Sequence, residues 1–566
     1  MKSYRTVALP CLISPPPLWY HMPMTKRSRI IISLILCALL CLAVCCAVKR
    51  VGSSSSAGRS VHMTEFNKSL SAAASDDDYR TAYEIFVYSF CDSNNDGIGD
   101  LNGVRSKLDY IADLGFDAIW LTPVHPSATY HKYDPDDYYG IDPSFGTMED
   151  YEALIRACHE KGIRIYLDLV LNHTSDEHEW FRQASDYLHE LPSGWEPDTS
   201  YCRYFDYYNF SREPAEGYTH LDGSEWYYEA RFWSEMPDLN LRSDAVKDEI
   251  RNIMAFWLGK GVDGFRLDAV TSYFANDNAD NAEFLRFLSE TARSIDPDCY
   301  IVGEAWTDMG TIASLYSSGI DSLFDFPFAG SDGVIAAVLN GSRGASDYVQ
   351  EMIRSEELYG NASPAYIDAP FYTNHDMSRS AEYYGENNSA AKMAYAMDLF
   401  MTGSAFVYYG EELGMNGTGK DENYRAPMHW SDDSDDPDMC AGPPAMDHMD
   451  MSSPSLADQL NDELSMHRWF TEVIRVRNAF PVIARGRTQN AEAISDDKVA
   501  AFCRRGGDGC DVLIVMNLSD QTVSKDLSAE GDCSLAAVLN TNEERITCED
   551  DSLIMPAYSI AIFTLD

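Results

Sequence analysis

A chain of 566 residues, 45% hydrophobic and 12% aromatic, is long enough for a large core and more than one domain. Such a composition excludes an intrinsically disordered protein. Its 90 acidic residues against 43 basic ones give a net charge of −47, which argues against nucleic acid or an anionic membrane surface as a partner and suits a salty or extracellular setting.

Lys26, Arg27 and Arg29 precede the apolar run Ile30–Val48. A basic flank before such a run reads as a secretion signal or a single membrane anchor, with Met24 as an alternative start. The run closes on LAVCC, which resembles a loose lipoprotein signal with Cys45 or Cys46 as the lipidated residue, although Val44 departs from the usual small residue. Residues 1–50 are therefore assigned to targeting, and the bulk of the chain to the outside of the cytoplasm, secreted or held at the cell surface. Residues 51–79, opening VGSSSSAGRS, read as a flexible Ser/Gly-rich linker.

From Ala82 onward short apolar runs alternate with amphipathic segments. YEIFVYSF reads as a strand, and LNGVRSKLDYIADLG as a helix ending at Gly115. DAIWL follows as a strand, YEALIRACHEKG as a helix closed by Gly162, and IRIYLDLVL as a third strand. Further runs at DGFRLDA, CYIVGEA, DSLFDF, APFYTN and SAFVYYG bring the strand candidates to eight, most of them separated by helical patterns. That alternation predicts a parallel (β/α)8 TIM barrel over about 80–480. The segment between the third and fourth strands is too long for a loop, and residues of about 174–240 read as an inserted subdomain. Beyond about Pro481 short strands such as VAAFCRR, DVLIVMNLS and SIAIFTL predict a C-terminal antiparallel β-sandwich over 481–566.

Cysteine usage is less informative. Five of the 14 cysteines lie at or before Cys46, and the nine beyond contain no C-x-x-C pair, which argues against a zinc site. Cys503, Cys510, Cys533 and Cys548 either form two bridges or stay as thiols.

In a barrel of this kind reactive groups collect where strands end at the C-terminal face. There the sequence carries polar residues in place of apolar ones: DLVLNH, FRLDA, VGEAW and FYTNHD. Within GVDGFRLDAV, Arg266 and Asp268 are two apart and point to one side of a strand, into an interior where an ion pair rarely adds stability. A single strand-end acid commonly caps the next helix. Asp268, Glu304 and Asp376 together, accompanied by Arg266, His173 and His375, are poorly explained that way.

These four blocks, in this order, resemble those of the α-amylase superfamily of retaining glycoside hydrolases, over roughly Ala82–Asp566. MPDLN at Met236–Asn240 is similar to a fifth block of the intermediate group between oligo-1,6-glucosidases and neopullulanases. The resemblance implies that Asp268 is the nucleophile, Glu304 the general acid and base, and Asp376 the third acid that grips sugar hydroxyls. Arg266 would hold Asp268 ionised, since a nearby cation lowers a carboxylate's pKa. His173 and His375 match the pair that bonds the same sugar unit, and Tyr133 the tyrosine that covers a glucose face. Asp134 and Arg379 match a pair that closes the pocket in α-glucosidase-type members. The segment DSNNDGIGD resembles a calcium loop in the same relatives, with Asp92, Asn94, Asp96, the Ile98 carbonyl and Asp100 as ligands of a structural Ca2+. Its twelfth position is Gly103 and not Glu, so it is not an EF-hand. Thr271 and Ser272 stand where many α-amylases carry Lys-His, which removes a lysine contact to the leaving sugars and weighs against a strict starch α-amylase.

The resemblance thus implies a retaining α-glucan hydrolase acting on α-1,4 bonds, with some α-1,6 activity, in starch or maltooligosaccharides. The alternatives are an exo-acting α-glucosidase or oligo-1,6-glucosidase, a transglycosylase, or an inactive transporter-associated scaffold. Scaffolds of that last kind lack the full acid set, which is complete in this sequence. Membrane contact is expected through the N-terminal segment alone.

Overall fold

The computed structural model describes residues 59–61, 67, 70 and 77–565, apart from 276, 434, 448–452 and 507–509. Eight parallel strands form one sheet: Thr81–Ile85, Ala118–Leu121, Arg164–Leu169, Gly264–Leu267, Tyr300–Gly303, Ser322–Phe324, Ile367–Ala369 and Ala405–Tyr408. The eighth strand pairs with the first, Ala405 opposite Thr81, and a lone Phe371–Phe406 bridge closes the seventh onto the eighth. The predicted barrel is therefore present.

Alternation along the strands decides what lies inside. Trp120, Tyr166, Tyr300, Val302, Phe324 and Phe406 fill the barrel, while Ile119, Ile165, Leu167, Phe265 and Ile301 face the surrounding helices. Register then places Asp168 directly beside Arg266, and Arg266 beside Val302, so one inward-pointing arginine meets an inward-pointing acid on the neighbouring strand. Gly264 is required two residues earlier, because a Cβ there would lie 2.1 Å from the Tyr300 carbonyl oxygen.

Several boundaries differ from the sequence reading. YEIFVYSF is a strand only as far as Ile85; Val87–Phe90 forms a single helical turn that caps the barrel rim. The helix expected up to Gly115 is two, Leu101–Ser106 and Leu108–Leu114, and Gly115 ends the second in a left-handed conformation at φ 99°. The seventh strand lies earlier, at Ile367–Ala369, and beyond it Phe371 contributes only the bridge.

The insertion after the third strand holds the helix Glu179–Glu190 and a three-stranded sheet of Phe210–Ser211, Tyr227–Glu229 and Tyr218–His220. It returns to the barrel rim through bridges His173–Asp238 and Tyr208–Leu239, so the MPDLN segment lies against the NH dipeptide at the end of the third strand.

The C-terminal sandwich has a five-stranded antiparallel sheet built on Val499–Arg505, Val512–Asn517 and Ser559–Leu565. Its strands read as nearly unbroken apolar runs because both faces are covered. Val499, Ala501, Leu513, Val515, Ala561 and Phe563 pack into the sandwich; Ala500, Phe502, Ile514, Met516, Ile560 and Ile562 join the core shared with the barrel's helices. Each such large apolar side chain contributes ~2 kcal/mol by burial. Arg504 crosses this seam and donates to Glu356 Oε1 (2.8 Å) and the Phe400 carbonyl (2.7 Å).

One further expectation is corrected, and one open alternative is decided. The linker assigned to 51–79 is not wholly a linker: Arg59–Val61 adds a strand to the second, four-stranded sheet, opposite Ile546–Cys548. No bridge joins Cys503, Cys510, Cys533 and Cys548; all nine cysteines from Cys91 on are free thiols. Among the described residues no helix is long and apolar enough to cross a membrane, and the run Ile30–Val48 with Cys45 and Cys46 lies outside them.

Candidate active site

At the C-terminal ends of the strands a cavity of about 360 Å³ brings together Tyr133, His173, Asp268, Glu304 and Asp376, with Phe232, Met236, Trp306 and Arg425 in its walls. All five sequence blocks, that of Met236 included, thus converge on one space.

Arg266 is its buried centre. The guanidinium Nη1 donates to Asp268 Oδ1 at 2.7 Å and to Asp168 Oδ1 at 3.0 Å, and Nη2 lies 3.0 Å from Glu304 Oε2. It also sits over the Trp120 ring at 4.9 Å. One fully buried cation therefore holds three carboxyls, two of them the expected nucleophile and proton donor. The residue after Asp268, Ala269, is held at φ 45°, a left-handed conformation that costs a non-glycine residue about 1 kcal/mol. That turn aims its N–H at Glu304 Oε2, 2.9 Å away. Glu304 is pushed up to about 7, chiefly by burial; Arg266 pulls the other way, while Asp268 and Asp376 add to the rise.

Asp376 has the opposite environment. Burial would raise it, but His375 and then Arg425 hold its carboxyl well below the usual carboxylate range. His375 is clamped between two acids, with Nδ1 2.6 Å from Glu84 Oε1 and Nε2 3.1 Å from Asp376 Oδ2. Although burial lowers it, Asp376 and Glu84 raise its pKa to about 10, so it is an imidazolium. Arg425 donates to Asp376 Oδ1 (2.7 Å), the His375 carbonyl (3.1 Å) and Tyr130 Oη (2.8 Å). His173 differs: burial lowers its pKa, and Nε2 lies 2.9 Å from the Tyr133 carbonyl, so that nitrogen carries the proton of a neutral ring. Tyr133 lies parallel to His375 at 5.1 Å and donates its hydroxyl to Asp168 Oδ2 at 2.9 Å.

The expected Asp134–Arg379 pair does not form. The Arg379 guanidinium is buried at 3.3 Å from Glu411 Oε1, donates to the Tyr409 carbonyl at 2.6 Å and lies over Tyr408. Asp134 turns instead to the hydroxyls of Ser127 (2.6 Å) and Thr129. Both side chains are spent on local structure, and the wall beside Asp376 is built by Arg425 in their place.

Sequence reasoning missed Glu84, Asp168 and Arg425. The first two were visible by the logic applied to Arg266, each being a lone acid in an apolar strand, in YEIF and IYLDLVL. Arg425, in YRAPMHW, carries no such signal: it lies on a loop far along the chain.

In the loop Asp92–Asp100, Asp92 accepts from the amides of Asn94, Asn95 and Gly97, Asn94 from Asp96, and Asp96 from Ile98. Asp100 accepts from Ser93 and caps the next helix at Gly103. The alternate side chains carry hard oxygen atoms of the type calcium takes. Among the described residues no three His, Cys, Asp or Glu side chains gather as a metal site, so an ion here would need the Asn94 and Ile98 oxygens as well.

The model of the α-amylase catalytic domain matches residues 84–486. "Alpha-amylase 3" of Dictyoglomus thermophilum is 42% identical over 354 residues, covering 62% of this chain and 67% of that protein. Among solved structures, Amy13B of Eubacterium rectale superposes with a TM-score of 0.88 at 45% identity, over 90% of this chain and 99% of its own. An α-amylase from H. orenii does so at 0.76 and 33%, over 87% and 100%. With the catalytic-domain match spanning all but the first three residues of the barrel and every residue of the acid cluster, the chain belongs to the α-amylase family of glycoside hydrolases.

Proposed function

We propose that this protein hydrolyses α-1,4-glucosidic bonds of maltooligosaccharides or starch with retention of anomeric configuration, with some activity on α-1,6 bonds. The observation that carries the reading is the Arg266 guanidinium, paired through adjacent nitrogens with Asp268 and Glu304 while Glu304 has its pKa raised to about 7. Retention needs an ionised nucleophile and a protonated acid side by side. Here one cation favours charge on both, and burial beside two other acids restores the proton to Glu304.

Glu304 gives its proton to the glycosidic oxygen as the Asp268 carboxylate attacks the anomeric carbon, forming a glycosyl ester. Glu304, now ionised, takes a proton from water, which attacks the same carbon and frees Asp268. Asp376, kept anionic by His375 and Arg425, stabilises the positive charge that develops on the sugar ring. The absence of the Asp134–Arg379 pair favours internal cleavage over an exo-acting α-glucosidase. Incubation with maltoheptaose, isomaltotriose and p-nitrophenyl α-glucoside tests this: mixed short maltosaccharides support it, glucose alone moves the reading to α-glucosidase, and longer products mean a transferase. No product from any of them returns the inactive scaffold.

Two further features belong to the proposal. A structural Ca2+ would be held by Asp92, Asn94, Asp96, the Ile98 carbonyl and Asp100, neutralising acids next to the first helix; the alternating oxygen donors support it. Export, with a lipid or membrane anchor, is supported by the basic flank and apolar run of 26–48. Fractionation of cells into medium, envelope and cytosol checks it.

A further inference from the structure

Glu84 is a buried carboxyl that packing does not require. It lies within the first barrel strand, 2% exposed, between Tyr83 and Ile85, with Trp120 opposite on one neighbouring strand and Tyr408 on the other. Among the described residues its one salt bridge is to His375, whose Nδ1 lies 2.6 Å from Glu84 Oε1. The same oxygen accepts from the His375 backbone N–H at 3.4 Å. Burying a carboxylate for the sake of one side chain is costly, and a glutamine would fill the same space and still bond the ring. The negative charge therefore needs a reason outside packing.

His375 supplies one. Its ring is wholly buried and does not line the catalytic cavity, so its charge reaches a sugar only through Asp376, whose Oδ2 lies 3.1 Å from Nε2. The ring is held in place by Tyr133, stacked at 5.1 Å with planes 7° apart, by Phe86 at 6.4 Å and 26°, and by Trp120 edge-on at 5.8 Å. A ring with both protons donates to each acid; a ring with one proton presents a bare lone pair to one of them. Glu84, His375 and Asp376 thus form a row of alternating charge that ends at the sugar. Burial lowers the ring's pKa, and Asp376 and Glu84 together raise it to about 10. Arg425 donates to the His375 carbonyl at 3.1 Å and faces the ring as a like charge. Asp168, Arg266 and His131, the last pushed down to about 4 by burial, also act on this row, but among the described residues none of them bonds a His375 ring nitrogen.

We propose that Glu84 is a positioning residue of the catalytic site, holding the His375 ring charged and oriented from behind so that Asp376 faces the sugar as an anion into the alkaline range. The inference rests on the glucan-hydrolase reading and deepens it: a residue on the first strand, with His375 between it and Asp376, sets the pH range over which the Asp376 wall works.

The test is the pH dependence of a ratio. kcat/KM for maltoheptaose is measured between about pH 5 and 8 for the wild type, Glu84→Gln and Glu84→Asp. Dividing each variant by the wild type cancels the decline due to Glu304, which all three share. Without the Glu84 charge, burial works against Asp376 alone, and the ring falls towards the ordinary histidine value near 6.5, almost wholly charged at pH 5 and roughly 3% charged at pH 8. The loss in Glu84→Gln should therefore be smallest at pH 5 and grow on the order of tenfold or more by pH 8. Glu84→Asp keeps the charge, and its loss should stay level with pH. A level loss in Glu84→Gln, or one that grows equally in both variants, would overturn the proposal, because a packing defect does not titrate with histidine. A second measurement needs no turnover. Heteronuclear NMR of histidine-labelled protein, with the His375 signal identified by its loss in His375→Asn, should show both ring nitrogens protonated up to about pH 9 in the wild type and a neutral ring by pH 8 in Glu84→Gln. A neutral ring in the wild type at pH 8 overturns the proposal even where Glu84→Gln does not fold. If no glucan is cleaved but the ring behaves as expected, the hydrolase reading falls and the pairing of Glu84 with His375 stands. If glucan is cleaved and the wild-type ring titrates as an ordinary histidine, the proposal falls alone.

Discussion

Two clusters of buried acid lie in the same barrel, and they behave differently. Around Arg266, Asp168, Asp268 and Glu304 share one guanidinium. Elsewhere Asp325, Asp368 and Asp398 are as deeply buried, yet none of them has a salt bridge among the described residues. Beyond burial, Asp325 raises the pKa of Asp368, Tyr359 donates to Asp325 at 3.0 Å, and the Asp398 carboxyl has no hydrogen-bond partner among the described residues. Burial pushes Asp325 up to about 7 and raises Asp368 and Asp398 well above the carboxylate range. In the second cluster burial shifts every acid towards its neutral form, with no salt bridge among the described residues to oppose it. Burial alone drives a carboxyl towards its neutral form; what sets the first cluster apart is a cation in bonding contact with its acids, Asp268 at 2.7 Å among them.

The sharpest break of that comparison is at the charges of the first cluster. Asp268→Asn should lower kcat on maltoheptaose on the order of 10⁴-fold or more with little change in melting temperature, as loss of a nucleophile does. Arg266→Met should do both kinds of damage. It leaves three buried carboxyls without their partner, and chemical denaturation should read a loss of ~3–5 kcal/mol. The isosteric change Asp398→Asn should cost less than about 1 kcal/mol near neutral pH, since burial favours the neutral form of the group it replaces. A larger loss there would mean that Asp398 is ionised and that the contrast fails.

Titration sharpens the same contrast. A carboxyl whose pKa is raised on folding gives stability that is full below its unfolded value near 4 and is lost as pH rises through the folded value. Melting temperature should therefore fall between about pH 4 and 7, in part because of Asp325, and Asp325→Asn should flatten that slope. Catalysis follows the other cluster: kcat/KM should decline above about pH 7 as Glu304 loses its proton, and Glu304→Gln should remove that limb for substrates with an activated leaving group. Removal of calcium is the next effect in size. Dialysis against a chelator should lower the melting temperature, and metal analysis before it should find calcium; no metal and no shift would end that proposal. Smallest of all, Asp134→Ala should leave the sizes of the products unchanged, because the residue bonds Ser127 and Thr129 and not Arg379.

How much of this could be read beforehand depends on whether a residue's neighbours are set by strand periodicity. Arg266 and Asp268 were legible because residues two apart on a strand share a side, and the barrel order brings the strand ends of Glu304 and Asp376 to the same rim. By the same logic Asp325, at the end of the sixth strand, resembles a catalytic acid; only the structure separates the acid bonded to Tyr359 from those bonded to Arg266. Loops defeated the reading. Asp134 and Arg379 match a functional pair by position, but the direction of each side chain is set by Ser127, Thr129 and Glu411, which no local pattern announces. Arg425 enters the site from a loop more than 150 residues after Arg266. The short strand Arg59–Val61 was hidden for a related reason: a three-residue edge strand in a Ser/Gly-rich segment has almost no pattern of its own.

The most direct test of the account is the anomeric form of the first products. Maltoheptaose mixed with enzyme and followed at once by NMR should show α-anomeric reducing ends appearing before mutarotation, from the wild type and not from Asp268→Asn. First products in the β form, or hydrolysis by Asp268→Asn at a rate close to wild type, would contradict a covalent intermediate on Asp268 and with it the role given to Arg266.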